Sequence, residues 1–446
     1  MTFPFTMDTP LEHAGDLPKS ADVVVIGAGI IGVMSAWELA KTGLSVVLLE
    51  KGRVAGEQSS RNWGWIRSQG RDPAELPIMA DAAAMWRQMA ADIPEDIGLR
   101  QTGVTYLAAK PDEIGRYEEW LPHAKEHGLD SEILSSAQTA ELIPHAATRW
   151  AGALHTKSDM KAEPWVALPA IARAAVRAGV TIIENCAVRG LDISAGRVSG
   201  VIIEAGSIAT SQVVLAGGSW SQLFLRRHGI TIPQLSVRAS VMATGALPEV
   251  HSGAAVDDRL AFRRRADGGY TLAPSGFHEL YVGPDAFRAL GGYTTALLAD
   301  PLGTRLLPAA PRGFPDGWGT QRKWADDEVS PFEKMRILNP APNKAKVAKM
   351  ARDFAQTFPS LGEVTIKASW AGMIDTMPDV VPVVDRAPLD GLTIATGMCG
   401  HGFGIGPAFG RIVANIVRGD NNPHDISRFR FGRFTDGSKL VLGPNL

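Results

Sequence analysis

Residues 22–50 read DVVVIGAGIIGVMSAWELAKTGLSVVLLE, and this stretch decides the fold. The run from Asp22 to Ile26 is β-branched with no polar alternation, as expected of a strand covered on both faces. Gly27, Gly29 and Gly32 follow, then an apolar helix from Val33 to Lys41 closed by Thr42 and Gly43. Ser45 to Leu49 forms a second strand, which ends in Glu50. Gly27 permits a tight turn, Gly29 lets the backbone approach a pyrophosphate, and Gly32 lets helix and strand pack closely. The free N–H groups where the helix begins, at Ile30 and Ile31, favour an anion. A carboxylate about 20 residues further on accepts hydrogen bonds from ribose hydroxyls, and Glu50 stands there with Lys51 beside it. Strand, glycine turn, helix, strand and terminal acid agree in order and spacing on a Rossmann-like dinucleotide site.

Composition narrows the rest. The chain of 446 residues carries 45 Lys and Arg against 47 Asp and Glu, a balance that argues against a nucleic-acid binder. Its two cysteines, Cys186 and Cys399, stand far apart, and the histidines are scattered, so neither a disulfide framework nor a metal site is expected. The longest uncharged apolar stretch, Val23 to Trp37, is shorter than the roughly 20 residues a membrane span needs. The N-terminal residues lack a basic start and an apolar run, so no secretory signal is read. These features lead us to expect a soluble, cytoplasmic protein without a membrane span.

Further along, helices are expected over 77–92, 164–178 and 344–358. Strands are expected over 180–184, 186–193, 197–204, 211–215, 236–243, 260–264 and 269–272. Residues 312–342, rich in Pro, Gly and Trp, read as a long connection. Near the C-terminus a strand over 392–395 leads into a glycine-rich run, Gly397 to Gly404, with a helix from about Gly406 to Val417. A strand, glycine loop and helix at both ends of the chain imply one discontinuous domain interrupted by an inserted one. A cofactor touched by both ends would be long, which favours FAD.

Residues 21–50, with Ser59-Ser60-Arg61-Asn62-Trp63-Gly64-Trp65-Ile66-Arg67 behind them, resemble the N-terminus of the D-amino-acid oxidase family, which includes glycine oxidase and monomeric sarcosine oxidase. Val213 to Trp220 resembles that family's "VVLAAGAWS" strand. Ser369 to Met373 with Pro378, Asp379 and Pro382, then Gly400 to Phe403, resembles its C-terminal flavin segment. The resemblance implies an α/β fold: a Rossmann-like FAD domain with an inserted α+β substrate domain whose mixed antiparallel sheet roofs the flavin. The boundaries expected are an arm over 1–20, FAD-binding segments 21–77, 162–229 and 368–434, substrate segments 78–161 and 230–367, and a tail over 435–446.

It also implies oxidation of an amino acid or secondary amino acid by hydride transfer to flavin N5, giving an imine that hydrolyses, with the flavin reoxidised by oxygen or another acceptor. Two alternatives stay open: a dehydrogenase of a 2-hydroxy acid or amine feeding a quinone or carrier protein, and a non-catalytic FAD-bound subunit of a heteromeric complex. By resemblance, Gly27, Gly29 and Gly32 hold the pyrophosphate and Glu50 the ribose, while Ser59, Ser60, Arg61 and Asn62 line the pyrophosphate and ribityl side. Val188 meets adenine through its backbone. Ala216, Gly217 and Trp220 flank the adenosine. Gly372, Met373 and the run Gly400, His401, Gly402, Phe403, Gly404 and Ile405 pass the flavin ring, whose reduced form gains from backbone N–H groups.

No histidine lies in 58–65 and no cysteine in 370–379, where covalently flavinylated relatives carry their attachment, so non-covalent FAD is expected. Tyr281 falls where sarcosine oxidase-like relatives carry a lysine that helps oxygen react, and Gly404 where they carry a substrate-binding lysine. Arg67 falls where they grip the substrate carboxylate, a task suited to a guanidinium. Arg71 reads as structural. His401 and Tyr281 are the candidates for catalysis, and Trp65, His278, Tyr281 and Trp370 for shaping the substrate pocket. Trp63 and Gly64 accompany them near the flavin. The run Arg263-Arg264-Arg265 reads as solvated charge, and Cys399 as a small packing residue.

Overall fold

The computed structural model describes residues 4–301 and 303–443. The first three residues of the expected arm, the last three of the tail, and Leu302 of the second substrate segment lie outside the described residues.

The strand Val23–Ile26 pairs in parallel with Val46–Leu49 on one side and Val213–Leu215 on the other. Ile183 and its neighbours extend this sheet beyond Leu49, and Leu392–Thr396 extends it beyond Leu215. Only Val383–Arg386, at the far edge, runs antiparallel. Four segments distant in the sequence thus supply one parallel sheet, and its strands are apolar because both faces are covered, one by helices and the other largely by the three-stranded antiparallel sheet Val188–Ser194, Arg197–Ile203 and Gly206–Ala209. One covering layer is made by Ile30–Ala40 packed on Gly402–Arg418. A Cβ on Gly410 would lie 2.6 Å from the Met34 carbonyl carbon, so the helix axes approach as closely as they do only through glycine.

A second, ten-stranded sheet is mostly antiparallel and is drawn from both inserted regions. At its centre Leu235–Thr244 pairs with Ile366–Thr376 along almost its whole length, with Ala239 opposite Gly372 and Val237 opposite Ile374. The helix Lys344–Thr357 closes one face of this sheet with Phe354 and Phe358 against Phe262 and Tyr270.

Two differences from the sequence reading bear on the site. The C-terminal helix begins at Gly402 instead of Gly406, so Gly402 to Ile405 form its first turn and not a loop. A helix over Pro284–Ala299, opened by proline at its first position, follows the strand His278–Tyr281. It escaped notice because its apolar face stays exposed and gives no core periodicity. The N-terminal arm is held against the FAD-side sheet: the Glu184 carboxylate accepts from the backbone N–H groups of Glu12 and His13, and Arg61 donates to the Phe5 carbonyl.

Candidate functional site

A cavity of about 740 Å³ runs from the end of Val46–Leu49, between the two sheets, to the start of Gly402–Arg418. That is within the roughly 300–1,000 Å³ of small-molecule sites. At its first end Gly27 turns with φ 101°. A Cβ there would lie 2.5 Å from the Ala216 carbonyl oxygen, and one on Gly32 would lie 1.8 Å from that of Gly27. Side chains are excluded at both places. Glu50 accepts from the backbone N–H of Ala28 at 2.8 Å and of Gly52 at 2.7 Å, and burial raises its pKa. Ser59 accepts from the Ile30 N–H at 2.9 Å.

Arg61 is 3% exposed and ion-pairs with no carboxylate within 4 Å among the described residues. Its five N–H donors go to the carbonyls of Phe5, Gly56 and Ala371 and to the Asn339 amide. Burial lowers its pKa to about 10, so it stays charged at neutral pH. A buried cation without a carboxylate fits a pyrophosphate, toward which it would act through its field and not by direct donation. Lys51 behaves differently: it is bound to Glu57 at 2.5 Å and lies 4.5 Å over the Trp220 ring, while Glu57 accepts from Trp220 Nε1. These residues fit the adenosine diphosphate half of FAD.

The other end of the cavity is mostly apolar. Val237, Ala239 and Val241 face it from one central strand, Gly372 and Ile374 from its partner, and His278 and Leu280 from the next. Trp63 and Trp65 close one side in an edge-to-face pair with centroids 5.3 Å apart. Into this chamber projects Arg67, whose guanidinium lies 5.6 Å over the Tyr106 ring and donates to the Gln69 carbonyl. No carboxylate lies within ion-pairing distance of it among the described residues. Its loop is held from behind by Asp159, 3% exposed, which accepts from the Ser68 N–H at 2.7 Å. Burial pushes the Asp159 carboxyl up to about 7 against the pull of those N–H groups and of Arg67 and Arg71.

Most residues expected at the site line this cavity: Gly27, Gly29, Ile30, Ile31, Glu50, Lys51, Ser59, Arg61, Asn62, Trp63, Trp65, Arg67, Val188, Ala216, Gly217, Trp220, His278, Gly372, Gly400, His401, Gly402 and Phe403. Gly32, Ser60, Gly64, Met373, Gly404 and Ile405 stand one layer behind and support the wall. Two expectations for the substrate pocket fail. Tyr281 points to the opposite face of its strand from His278, accepting from Arg238 and packing edge-on to Phe314. Trp370 is 2% exposed, donates to the Arg61 carbonyl at 3.0 Å and packs edge-on to Trp165 in the core.

The basic run is corrected too. Arg263, 1% exposed, forms two 3.0 Å bonds to Glu163 and a third to the Trp63 carbonyl, so it braces the cavity wall instead of facing water. Arg265 is buried as well, donating to the carbonyls of Tyr270 and Thr244. Cys399 keeps its packing role, with burial raising its pKa. Sequence reasoning missed Glu75 and Asp159 altogether. Both are charged residues whose burial depends on partners far along the chain.

The mouth has an unusual rim. Phe287 is 62% exposed, Leu290 52% and Leu306 60%, and all three also line the cavity. Soluble monomers seldom leave such a cluster in water without a use for it.

A family model for FAD dependent oxidoreductases, DAO, matches residues 22–416. The chain belongs to this family, and its cofactor is FAD. It is similar in structure to L-amino acid deaminase from Proteus myxofaciens in complex with anthranilate, with a TM-score of 0.90 and 32% identity over 95% of this chain and 96% of that one. In sequence it is similar to sarcosine oxidase subunit beta from Arthrobacter sp, 26% identical over 94% of this chain and 93% of that protein. It is also 29% identical to mouse mitochondrial sarcosine dehydrogenase over 59% of this chain, but spans only 30% of that enzyme's length. The chain is therefore an FAD-dependent oxidoreductase. Among the described residues no helix is long and apolar enough to cross a membrane.

Proposed function

We propose that this enzyme oxidises the α-C–N bond of an L-amino acid with an apolar side chain and passes the electrons to a lipophilic acceptor in preference to oxygen. The observation that carries the substrate class is Arg67, a guanidinium without a carboxylate partner projecting into an apolar chamber. Such a group binds one carboxylate by two parallel, charge-assisted hydrogen bonds. The rest of the chamber offers Trp63, Trp65, Val241 and Leu280 to a side chain. The similarity to an L-amino acid deaminase supports the L configuration and the primary amine.

The glycine turn, Glu50 and the field of Arg61 would hold FAD without a covalent bond, and the bound cofactor would supply the acceptor for the two electrons of the C–H bond. The chain's own work is orientation: Arg67 fixes one end of the substrate and the apolar wall fixes the side chain, so the α-C–H bond is held in one attitude and the entropy of alignment is met on binding. The acceptor reading is supported by the cavity wall, where Lys51, tied up at the adenosine end, is the lone lysine among the described residues. A lysine near the ring would favour reduction of oxygen, whereas the cation of this chamber, Arg67, is taken up by the substrate carboxylate, and the strand His278–Tyr281 turns the apolar Leu280 to the cavity. The exposed rim of Phe287, Leu290 and Leu306 supports an apolar partner for the second half-reaction.

The test is anaerobic mixing of the yellow holoenzyme with leucine, phenylalanine, glycine and sarcosine in turn, followed by air or a short-chain ubiquinone. Bleaching by the L-apolar amino acids, with reoxidation faster by quinone than by air, is the expected result. Bleaching by sarcosine or glycine alone overturns the substrate class.

A further inference from the structure

Behind the cavity wall lies a closed charged network that the reading above leaves without a task. Glu75, 1% exposed, stands 3.4 Å from Arg71 Nη1 and 3.4 Å from His401 Nδ1. Arg71, 2% exposed, donates Nε to the Arg67 carbonyl at 2.7 Å and Nη2 to the His401 carbonyl at 3.2 Å. Trp120 Nε1 donates to the Arg71 carbonyl and Trp86 Nε1 to that of Gly404, so the loop and the first helical turn are pinned to one scaffold. One guanidinium therefore holds the main chains of Arg67 and His401 side by side, and both residues line the cavity. An α-amino acid carries its carboxylate and its ammonium on a single carbon. A substrate gripped by Arg67 brings its ammonium to the part of the wall that His401 occupies.

That proximity meets a chemical need. An amino acid arrives as a zwitterion, and an ammonium nitrogen has no lone pair with which to assist departure of hydride from the neighbouring carbon. A proton must leave first. We propose that His401 accepts this proton at Nε2 and that Glu75 is the positioning residue that fixes the imidazole for the task. A carboxylate is an acceptor only, so the Nδ1 that faces it carries the hydrogen, and Nε2 is left with its lone pair on the cavity side. At 3.4 Å the Glu75 contact is long, as such contacts are before substrate closes them. In the step, one ammonium N–H bond breaks and an N–H bond forms at Nε2. The electron pair stays on the substrate nitrogen, and the imidazolium formed is paired with Glu75. Nothing is oxidised or reduced.

The charged groups around His401 are Glu75, Arg71 and Arg67. Burial lowers its pKa, Glu75 opposes this, and the two arginines reinforce it, so the imidazole is neutral at pH 7. Burial raises the Glu75 carboxyl, but the hydrogen bonds and charge of His401 and Arg71 outweigh it and hold it below the usual carboxylate range, so the partner stays ionised.

This inference rests on the amino acid reading, and two measurements separate their failures. The first is ¹⁵N NMR of the imidazoles in the holoenzyme at pH 7, free and with α-methyl-leucine, which has no α-hydrogen and cannot be oxidised. The His401→Asn spectrum assigns the signal. The expected result is an Nδ1–H tautomer in the free enzyme whose unprotonated Nε2 signal shifts on binding as it accepts from the ammonium, and a mixed tautomer in Glu75→Gln. An Nε2 signal that binding leaves unmoved overturns the proposal. The second is the pH profile of kcat/KM. His401→Asn should lose about 100-fold at pH 7, rise tenfold per pH unit toward the amine pKa of leucine, and recover most of its loss with trifluoroleucine, whose amine is less basic. Equal losses on both substrates at every pH also overturn it, with oxidation of the amino acid itself intact.

Discussion

Replacing Glu163 by Gln leaves Arg263 as a guanidinium that is 1% exposed and has no anionic partner. In the wild type both Glu163 oxygens are engaged, each 3.0 Å from an Arg263 nitrogen, and Oε1 also accepts from the Ala266 N–H. Breaking one side of a buried pair costs about 3–5 kcal/mol, because the stranded charge can neither be solvated nor neutralised. Removing both charges, as in Glu163→Leu with Arg263→Met, abolishes that penalty. It leaves the Trp63 carbonyl and the Ala266 N–H without these partners, at about 1–3 kcal/mol each. Those two losses together fall in the same range as the stranded charge, so the double variant should be about as stable as Glu163→Gln, although two further groups have been deleted. Urea unfolding followed by far-UV circular dichroism measures all three proteins, and tryptophan fluorescence reports Trp63 and Trp65 as the wall loosens. A loss below about 1 kcal/mol for Glu163→Gln would refute the reasoning, since it would mean that water reaches Arg263.

Arg67→Met should raise KM for an amino acid about 10- to 100-fold, the worth of a charge-assisted pair, while the amide of the same amino acid is unaffected; equal losses on both would show that Arg67 does not hold the carboxylate. Gly32→Ala puts a Cβ 1.8 Å from the Gly27 carbonyl oxygen. Backbone must move to admit it, so the purified variant should be colourless and fail to take up FAD, and a flavin spectrum of normal intensity would contradict this. Burial lowers the His251 pKa to about 4. Its folded value lies below the unfolded one, so the stability it contributes is complete above pH 6.5 and is lost as pH falls toward 4. The loss amounts to about 2 kcal/mol between pH 8 and pH 5. His251→Gln should flatten that limb in urea midpoints taken across the range, and an unchanged slope would exclude His251 as its source.

Local chemistry made the dinucleotide half of this site legible. A β-branched strand, three glycines and a terminal acid each answer to a constraint acting within some thirty residues, so the order of the residues was enough. The flavin-facing helix was nearly legible; its start was misplaced because glycines at 402 and 404 look like a loop until Met398 and the backbone of Trp65 and Ile66 pack against them. His278 and Tyr281 were assigned together to the pocket, yet an odd separation along a strand sends them to opposite faces. The period of two along this strand already separates them in the sequence.

The sequence by itself determined the fold family and the cofactor, because these depend on short motifs whose geometry is local. Only the tertiary structure decided which charges are buried. Arg263 meets Glu163 across 100 positions, and Arg71 and Glu75 meet His401 across more than 300. Whether a charged residue is solvated surface or a buried brace depends on what the chain brings over it, and the cost of burying it unpaired makes that distant partner decisive.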